Sequence, residues 1–303
     1  MKKIQLFPIF LLLVLTGCKN TNNKSDEVNI NDILNEESTE PELVISEESI
    51  NEIIQSIPSP LEMASLIKES GASFNEDFLN STDNQDLYRT DFEKAMAMGI
   101  YAGDLGYINI YEKSYVALKY LKTIKKLADD LNVGQFFDFE TIKRMASNAD
   151  KIDSLLYLST LNFERMDHYL RSQKRSNLSV LLVTATWIES LYIVTKVGNL
   201  TSSEPIIERI AEQKIILNQI LLMVSTYSDN QFFQNLHEEI SLLKKEFESV
   251  SIDYVYREPE IVEEDGRLVI IDNSTTEVNI TQEQINAISN VLSEIRLKII
   301  ESD

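Results

Sequence analysis

The sequence predicts an all-α fold, a bundle of about eight helices with one small β-hairpin near the C-terminus. The first observation is that apolar residues recur at steps of three and four, which places them on one face of an α-helix. The second is a segment, residues 180–197, that is apolar on nearly every side and therefore indicates a central, buried helix. The third is a pair, Asp265-Gly266, flanked by Val and Ile residues. This pattern is typical of a two-residue hairpin turn, so we expect a hairpin at about residues 254–272.

The helices are predicted from stripes of apolar residues. The last stripe opens with Thr281 and Gln284, which have the spacing of a capping box. Gly134 and Gly198 stand where the preceding helices should end. The five clearest stripes cover residues 111–131, 152–170, 206–224, 233–250 and 285–299.

The N-terminus has the pattern of an export signal. Two lysines precede an apolar run over residues 4–15, which is shorter than the roughly 20 residues that a permanent membrane helix needs. The run ends in Leu15-Thr16-Gly17-Cys18, which resembles the lipobox of bacterial lipoproteins. The resemblance implies a signal peptide over residues 1–17, cleavage before Cys18, and lipidation of that thiol. The alternative is an ordinary secretory signal that happens to contain a cysteine.

Residues 18–57 are predicted to be a lipidated cysteine followed by an acidic, flexible tether, and the helical domain is expected to span residues 58–303. The stretch 19–56 holds ten acidic residues against two lysines and has no glycine or aromatic residue. Such a composition buries too little apolar surface to fold alone. Within it, four isoleucines have helical spacing and indicate a short amphipathic helix that could dock on the domain. They are Ile50, Ile53, Ile54 and Ile57.

Charge and cysteine content limit the partners. The chain has a net charge of −21 and a single cysteine, Cys18. We therefore expect no nucleic-acid partner, since those proteins carry a basic surface, and no disulfide in the mature protein. Membrane attachment would come from acyl chains such as palmitate on Cys18. Because Lys19 follows the cysteine in place of an aspartate, the outer membrane is the expected location, and the face of the membrane stays open.

No motif predicts a reaction, a metal or another cofactor. The chain has two histidines, His168 and His237, and neither belongs to a His-Glu-x-x-His or Glu-x-x-His pattern. It has no Gly-x-Ser-x-Gly nucleophile motif. The sequence therefore predicts no catalytic residue, no metal ligand and no cofactor.

The segment around Asp104 is the first unusual place. Three glycines, at positions 99, 103 and 106, lie within eight residues, and in a helix they would share a face. Either another helix approaches closely there or the helix borders a groove that admits a ligand. Asp104, Tyr101 and Tyr107 lie beside them, and a carboxylate among apolar neighbours must be hydrogen-bonded or paired. Tyrosines packed with their hydroxyls on buried acceptors are the structural alternative to a ligand site.

The second unusual place is Glu189, which follows Trp187 inside the most apolar helix. We expect Glu189 to form a buried polar network with Arg209 and Gln213, which follow it in the sequence. Asp104 is expected to lie close enough to take part. A buried pair of this kind can be purely structural, because it fixes which helices meet. It can also form the floor of a polar pocket.

Four segments together resemble a group of all-helical bacterial lipoproteins that have no assigned activity. The resemblance covers about residues 58–250 and implies a helical lipoprotein, with no activity to transfer. The segments are Gly-Ile-Tyr-x-x-Asp-Leu-Gly-Tyr, Lys-Lys-Leu-Ala-Asp-Asp-Leu, Trp-Ile-Glu-Ser-Leu-Tyr and Glu-Arg-Ile-x-Glu-Gln-Lys.

Three functions therefore remain open. The leading hypothesis is a membrane-anchored cell-envelope lipoprotein whose helical domain binds an envelope protein or a small ligand. The second is an enzyme with a carboxylate and tyrosine pocket around Asp104 and Glu189, and the third is a purely structural envelope protein. An open cleft joining the two carboxylates would favour the first two, whereas a closed core there would favour the third.

Overall fold

The computed structural model describes residues 45–146, 152–201, 203–264, 267–271 and 275–301. The chain is mostly helical with a small antiparallel β element, which confirms the predicted class. These ranges contain ten α-helices, not about eight. The predicted signal peptide, Cys18 and the first part of the predicted tether lie outside the described residues. The helices are α1 (Glu47–Ser56), α2 (Pro60–Glu69), α3 (Asp91–Ile110), α4 (Ser114–Asp130), α5 (Phe139–Ala146), α6 (Ile152–Ser172), α7 (Ser176–Gly198), α8 (Glu204–Ser225), α9 (Gln231–Phe247) and α10 (Gln282–Glu301).

The extra helices are short ones. Helices α1, α2 and α5 have 10, 10 and 8 residues, so each shows only two or three turns of an apolar stripe. Helix α2 nevertheless has a clear start signal. Ser59 and Glu62 form a reciprocal capping box, and Pro60 occupies the first helical turn, where its missing N–H is not needed.

Helix α1 packs against the rest of the domain. Ser46 caps its first turn, and Ile50 and Ile54, one turn apart, are buried. The isoleucine spacing thus marks a docked amphipathic helix. The packed part of the chain therefore begins before residue 58. Burial of these isoleucines removes their apolar surface from water, which stabilises the docked helix.

Helices α3 and α7 form the centre of the bundle. Helix α7 is long and apolar enough to cross a membrane, but 94% of its most apolar window is buried, as in the core helix of a soluble domain. The two helices approach closely at Gly99 and Gly103. A Cβ atom on either glycine would lie 2.8 Å from a Cβ atom of α7, that of Ala185 or Glu189 respectively. A Cβ atom on the third glycine, Gly106, would lie 2.6 Å from the Cβ atom of Pro60 in α2, so close approach of a neighbouring helix accounts for all three clustered glycines.

The β element is larger than a single hairpin. Strands β2 (Glu260–Glu264) and β3 (Arg267–Ile271) pair antiparallel on either side of the predicted turn. Strands β1 (Ser251–Val255) and β4 (Thr275–Asn279) form a second antiparallel pair that encloses the first in sequence. The turn Asp265-Gly266 itself lies outside the described residues. The β segment is thus longer than the predicted range at both ends.

Candidate functional site

A buried carboxyl cluster joins three helices. Glu189 of α7 has no exposed surface and accepts two hydrogen bonds from Arg296 of α10. The distances are 2.6 Å from Nε to Oε2 and 2.9 Å from Nη2 to Oε1. Arg296 Nη2 also donates to the carbonyl oxygen of Phe78 at 3.0 Å. The guanidinium lies 4.4 Å from the ring centre of Tyr192, which adds a cation–π contact. Buried charge is thus paired in the two-pronged geometry that arginine favours.

Asp104 of α3 completes this cluster. Its side chain is fully buried, and Oδ2 accepts a hydrogen bond from the backbone N–H of Asn80 at 3.1 Å. Burial first, and then the negative charge of Glu189, raise the pKa of Asp104 well above its ordinary value, although Arg296 opposes the shift. Asp104 Oδ1 has no hydrogen-bond partner in the described part of the chain. With the proton that this raised pKa favours on Asp104, the cluster of two carboxyl groups and one guanidinium is neutral. A neutral cluster avoids the cost of an uncompensated charge in the core.

The tyrosines near Asp104 form hydrogen bonds with the backbone of residues 75–81, which lie between α2 and α3. Tyr101 donates to the carbonyl of Ser81 and Tyr120 to that of Asn80, both at 2.8 Å. Tyr107 accepts from the backbone N–H of Asn75 at 3.0 Å. Burial raises the pKa of Tyr101, Tyr107 and Tyr120, so these hydroxyls stay protonated at neutral pH. Their arrangement matches the structural alternative, hydroxyls on buried backbone groups.

The other predicted network members lie elsewhere, and the partner assigned to Glu189 needs correction. Arg209 does not reach Glu189. Its side chain is 39% exposed and lies 3.5 Å from Glu212. Gln213 is buried and accepts a hydrogen bond from Trp187 Nε1 at 2.9 Å, while its own amide donates to the Arg209 carbonyl. The structure thus forms two separate polar groups, Glu189 with Arg296 and Trp187 with Gln213.

Arg296 was not identified from the sequence as the partner of Glu189, although the position of Arg296 in its helix indicates burial. It lies four residues after Leu292 and next to Ile295, so it shares the buried face of α10. An arginine at such a position needs a buried acid. Only the fold could show which acid that is, because the two residues are 107 positions apart.

A cavity of about 450 Å³ lies between helices in the range α1 to α7, and its size is that of small-molecule sites. Its walls come from the α1–α2 junction, α3, α4, the segment around α5, α6 and α7. The lining is mainly apolar and includes Ile54, Pro60, Met98, Leu121, Phe139 and Val183. Neither Asp104 nor Glu189 is part of it. The part of α3 that borders the cavity holds Ala102, Leu105, Gly106 and Asn109. The same helix packs closely on α7 at Gly99 and Gly103 and on Pro60 of α2 at Gly106.

Two buried polar side chains border this cavity. Asn109 is 8% exposed and Asp167 is 6% exposed. Asn109 Oδ1 and Asp167 Oδ1 have no hydrogen-bond donor in the described part of the chain. The other oxygen of Asp167 accepts from Arg171 Nε at 2.6 Å. The cavity wall thus includes two buried residues that each carry an acceptor oxygen able to pair with a donor on a bound molecule.

The structure offers no comparable metal centre in the ranges that it describes, where no group of three or more His, Cys, Asp or Glu side chains could hold an ion. Comparison with known proteins gives no match to a family model, to a curated protein or to a solved structure. The site therefore has to be interpreted from its own chemistry.

Proposed function

We propose that this protein is a lipid-anchored cell-envelope protein whose helical domain binds a small, largely apolar ligand. The observation that carries the proposal is the apolar cavity of about 450 Å³ between the α1–α2 junction, α3 and α6. A concave, mainly apolar space of this size is the usual form of a small-molecule site.

The proposal assigns the buried carboxyl cluster to stability and not to catalysis. Asp104 and Glu189 have no exposed surface and do not border the cavity. An acid–base pair must come within hydrogen-bond reach of its substrate. The enzyme hypothesis built on these two carboxyl groups therefore has the weaker support, and the cavity supports ligand binding.

The anchoring part of the proposal rests on the sequence. The basic start, the apolar run and Leu15-Thr16-Gly17-Cys18 indicate export and lipidation. A chain with a net charge of −21 is not drawn to an anionic membrane surface, so acyl chains would have to hold it there. The outer membrane remains the proposed location.

Octan-1-ol tests the binding proposal, because it has an apolar body and dissolves well enough for titration. We expect saturable binding to the full chain in nanodiscs of neutral lipid, with a rise in the melting temperature as binding favours the folded state. Ala102→Phe places a large side chain in the cavity and should abolish this binding while the protein stays folded. Octan-1-ol binding that survives Ala102→Phe would contradict the proposal.

A further inference from the structure

The cavity is chemically asymmetric. Its lining includes the carboxylate residues Glu62, Glu164 and Asp167, and among the described lining residues there is no lysine or arginine. From this asymmetry we infer that the ligand is amphipathic and has a hydrogen-bond-donating head, a hydroxyl or an amine, that binds between Asn109 and Asp167. The inference rests on the proposed function of the same cavity, and it specifies the ligand class.

Asn109 supplies the first acceptor. It lies near the end of α3, is 8% exposed, and borders the cavity. Its Oδ1 atom meets no donor within the described ranges. A hydroxyl or ammonium group in the cavity would satisfy this oxygen, whereas an apolar group would leave it unpaired.

Asp167 supplies the second acceptor from α6. Arg171 occupies one of its oxygens and leaves Oδ1 without a donor among the residues described. The free oxygen belongs to a carboxylate, so it favours a positive or donating head and repels a negative one. Two acceptor oxygens on two different helices thus favour a ligand that carries a hydrogen-bond donor.

The hydroxyl of Thr186 in the wall does not offset this preference. Thr186 Oγ1 lies 2.8 Å from the Leu182 carbonyl and 3.1 Å from the Gly99 carbonyl. Its proton is therefore directed to the backbone and is not available to an acidic head. The carboxylates of Glu62, Glu164 and Asp167 give this wall a negative character, which disfavours fatty acids and phosphate-bearing lipids.

The test compares three ligands of equal chain length, octan-1-ol, octylamine and octanoate, on the full chain in nanodiscs of neutral lipid. We expect the alcohol and the amine to bind at least about tenfold more tightly than the acid, the effect of one or two hydrogen bonds. Equal or tighter binding of octanoate would overturn the inference. Water that satisfies both oxygens would give no preference among the three ligands, and that outcome would overturn it too.

Variants of the two acceptor residues test where the polar head group of the ligand binds. Asn109→Leu keeps the size of the side chain and removes the acceptor, so binding of octan-1-ol should fall roughly threefold to tenfold. Asn162→Leu makes the same change at another buried asparagine that is not part of the lining, and it should leave binding unchanged. Asp167→Asn keeps an oxygen and removes the charge, so the difference in affinity between octylamine and octanoate should shrink.

The outcomes separate the two proposals. If Ala102→Phe abolishes binding of octan-1-ol but Asn109→Leu and Asp167→Asn change nothing, the cavity binds ligands and the head-group inference is wrong. If octan-1-ol does not bind the unmodified protein, the proposed function itself is wrong. Melting curves recorded on each variant identify any that does not fold, and Asp167→Asn tests the inference independently if Asn109→Leu fails to fold.

Discussion

The residue pair Glu189 and Arg296 fixes how α7 and α10 meet. Both side chains are almost fully buried, so removal of one leaves the other as an unpaired charge in the core. Such changes typically cost about 3–5 kcal/mol. We expect Glu189→Ala and Arg296→Ala each to lower the free energy of unfolding by about that amount, and the double variant to lose less than the sum of the two. Urea unfolding of the three variants measures this coupling.

Arg209→Ala provides the control for that experiment. Arg209 is also an arginine on an amphipathic helix, but its side chain is 39% exposed and its carboxylate partner lies at 3.5 Å. Its replacement should change stability by no more than about 0.5 kcal/mol. Additive losses for Glu189 and Arg296, or a loss for Arg209 as large as theirs, would contradict the observed pairing.

The raised pKa of Asp104 predicts a pH dependence of stability. In the unfolded chain an aspartate titrates near pH ~3.9, whereas burial and the charge of Glu189 raise the pKa of Asp104 in the folded protein. Stability from this group is therefore fully present below the unfolded pKa and is lost as the pH rises toward the folded pKa. Asp104→Asn has nearly the same shape and cannot ionise. The variant should therefore lack the part of the stability loss at higher pH that comes from Asp104.

The measurement is the free energy of unfolding of the wild type and the variant from about pH 4 to pH 8. We expect the advantage of Asp104→Asn over the wild type to grow as the pH rises. Asp229→Asn, at an exposed position, controls for the general effect of removing one carboxylate and should give a curve parallel to that of the wild type. A parallel curve for Asp104→Asn would show that Asp104 is ionised in the folded protein.

At the scale of helices, the contact between α3 and α7 depends on small residues. Alanine usually favours a helix over glycine by about 1 kcal/mol. At Gly99 and Gly103 the added Cβ atom would lie 2.8 Å from a Cβ atom on α7. Both substitutions should therefore destabilise the protein, by roughly 1–3 kcal/mol, as overpacked cores do. Thermal unfolding of each variant tests this.

Gly198 gives the comparison for these variants. The atom nearest to a Cβ at that position is the flexible end of the Ile210 side chain, at 2.7 Å, and the site is the last residue of α7. Gly198→Ala should cost clearly less than either substitution in α3. Similar losses at all three positions would show that loss of glycine itself, and not helix contact, causes the effect.

Elements with long stripes could be predicted from the sequence, and short elements could not. The stripes of α4, α8, α9 and α10 repeat over 17 to 22 residues, which is enough to establish a helical period. Helix α5 has only 8 residues, so it shows no comparable period. Asp104 and Glu189 could be singled out as polar residues in apolar helices. The cavity could not be inferred, because its wall combines segments from six parts of the chain, and no local pattern records where they meet.

At the scale of the whole molecule, the residues that stabilise the core and the cavity proposed to bind a ligand lie in different parts of the helical bundle. The carboxyl cluster and the tyrosine contacts lie in the closed core and fasten the segment of residues 75–81 to α3 and α10. The cavity lies on another side of α3 and includes Ile54 of α1 in its wall. Because α1 is the helix that follows the acidic N-terminal segment, the ligand site is close in sequence to the proposed membrane tether.

This arrangement predicts that anchoring and ligand binding can be separated. Cys18→Ser removes the thiol that would accept lipid, so incorporation of labelled fatty acid should be lost and the unprocessed precursor should accumulate. Residues 45–301, which carry the cavity and the core, are unchanged by this substitution, so the variant should keep its binding of octan-1-ol. Loss of octan-1-ol binding in a folded Cys18→Ser variant would show that the anchor contributes to the ligand site. Fatty-acid label that persists on the variant would contradict the assignment of Cys18 as the lipidated residue.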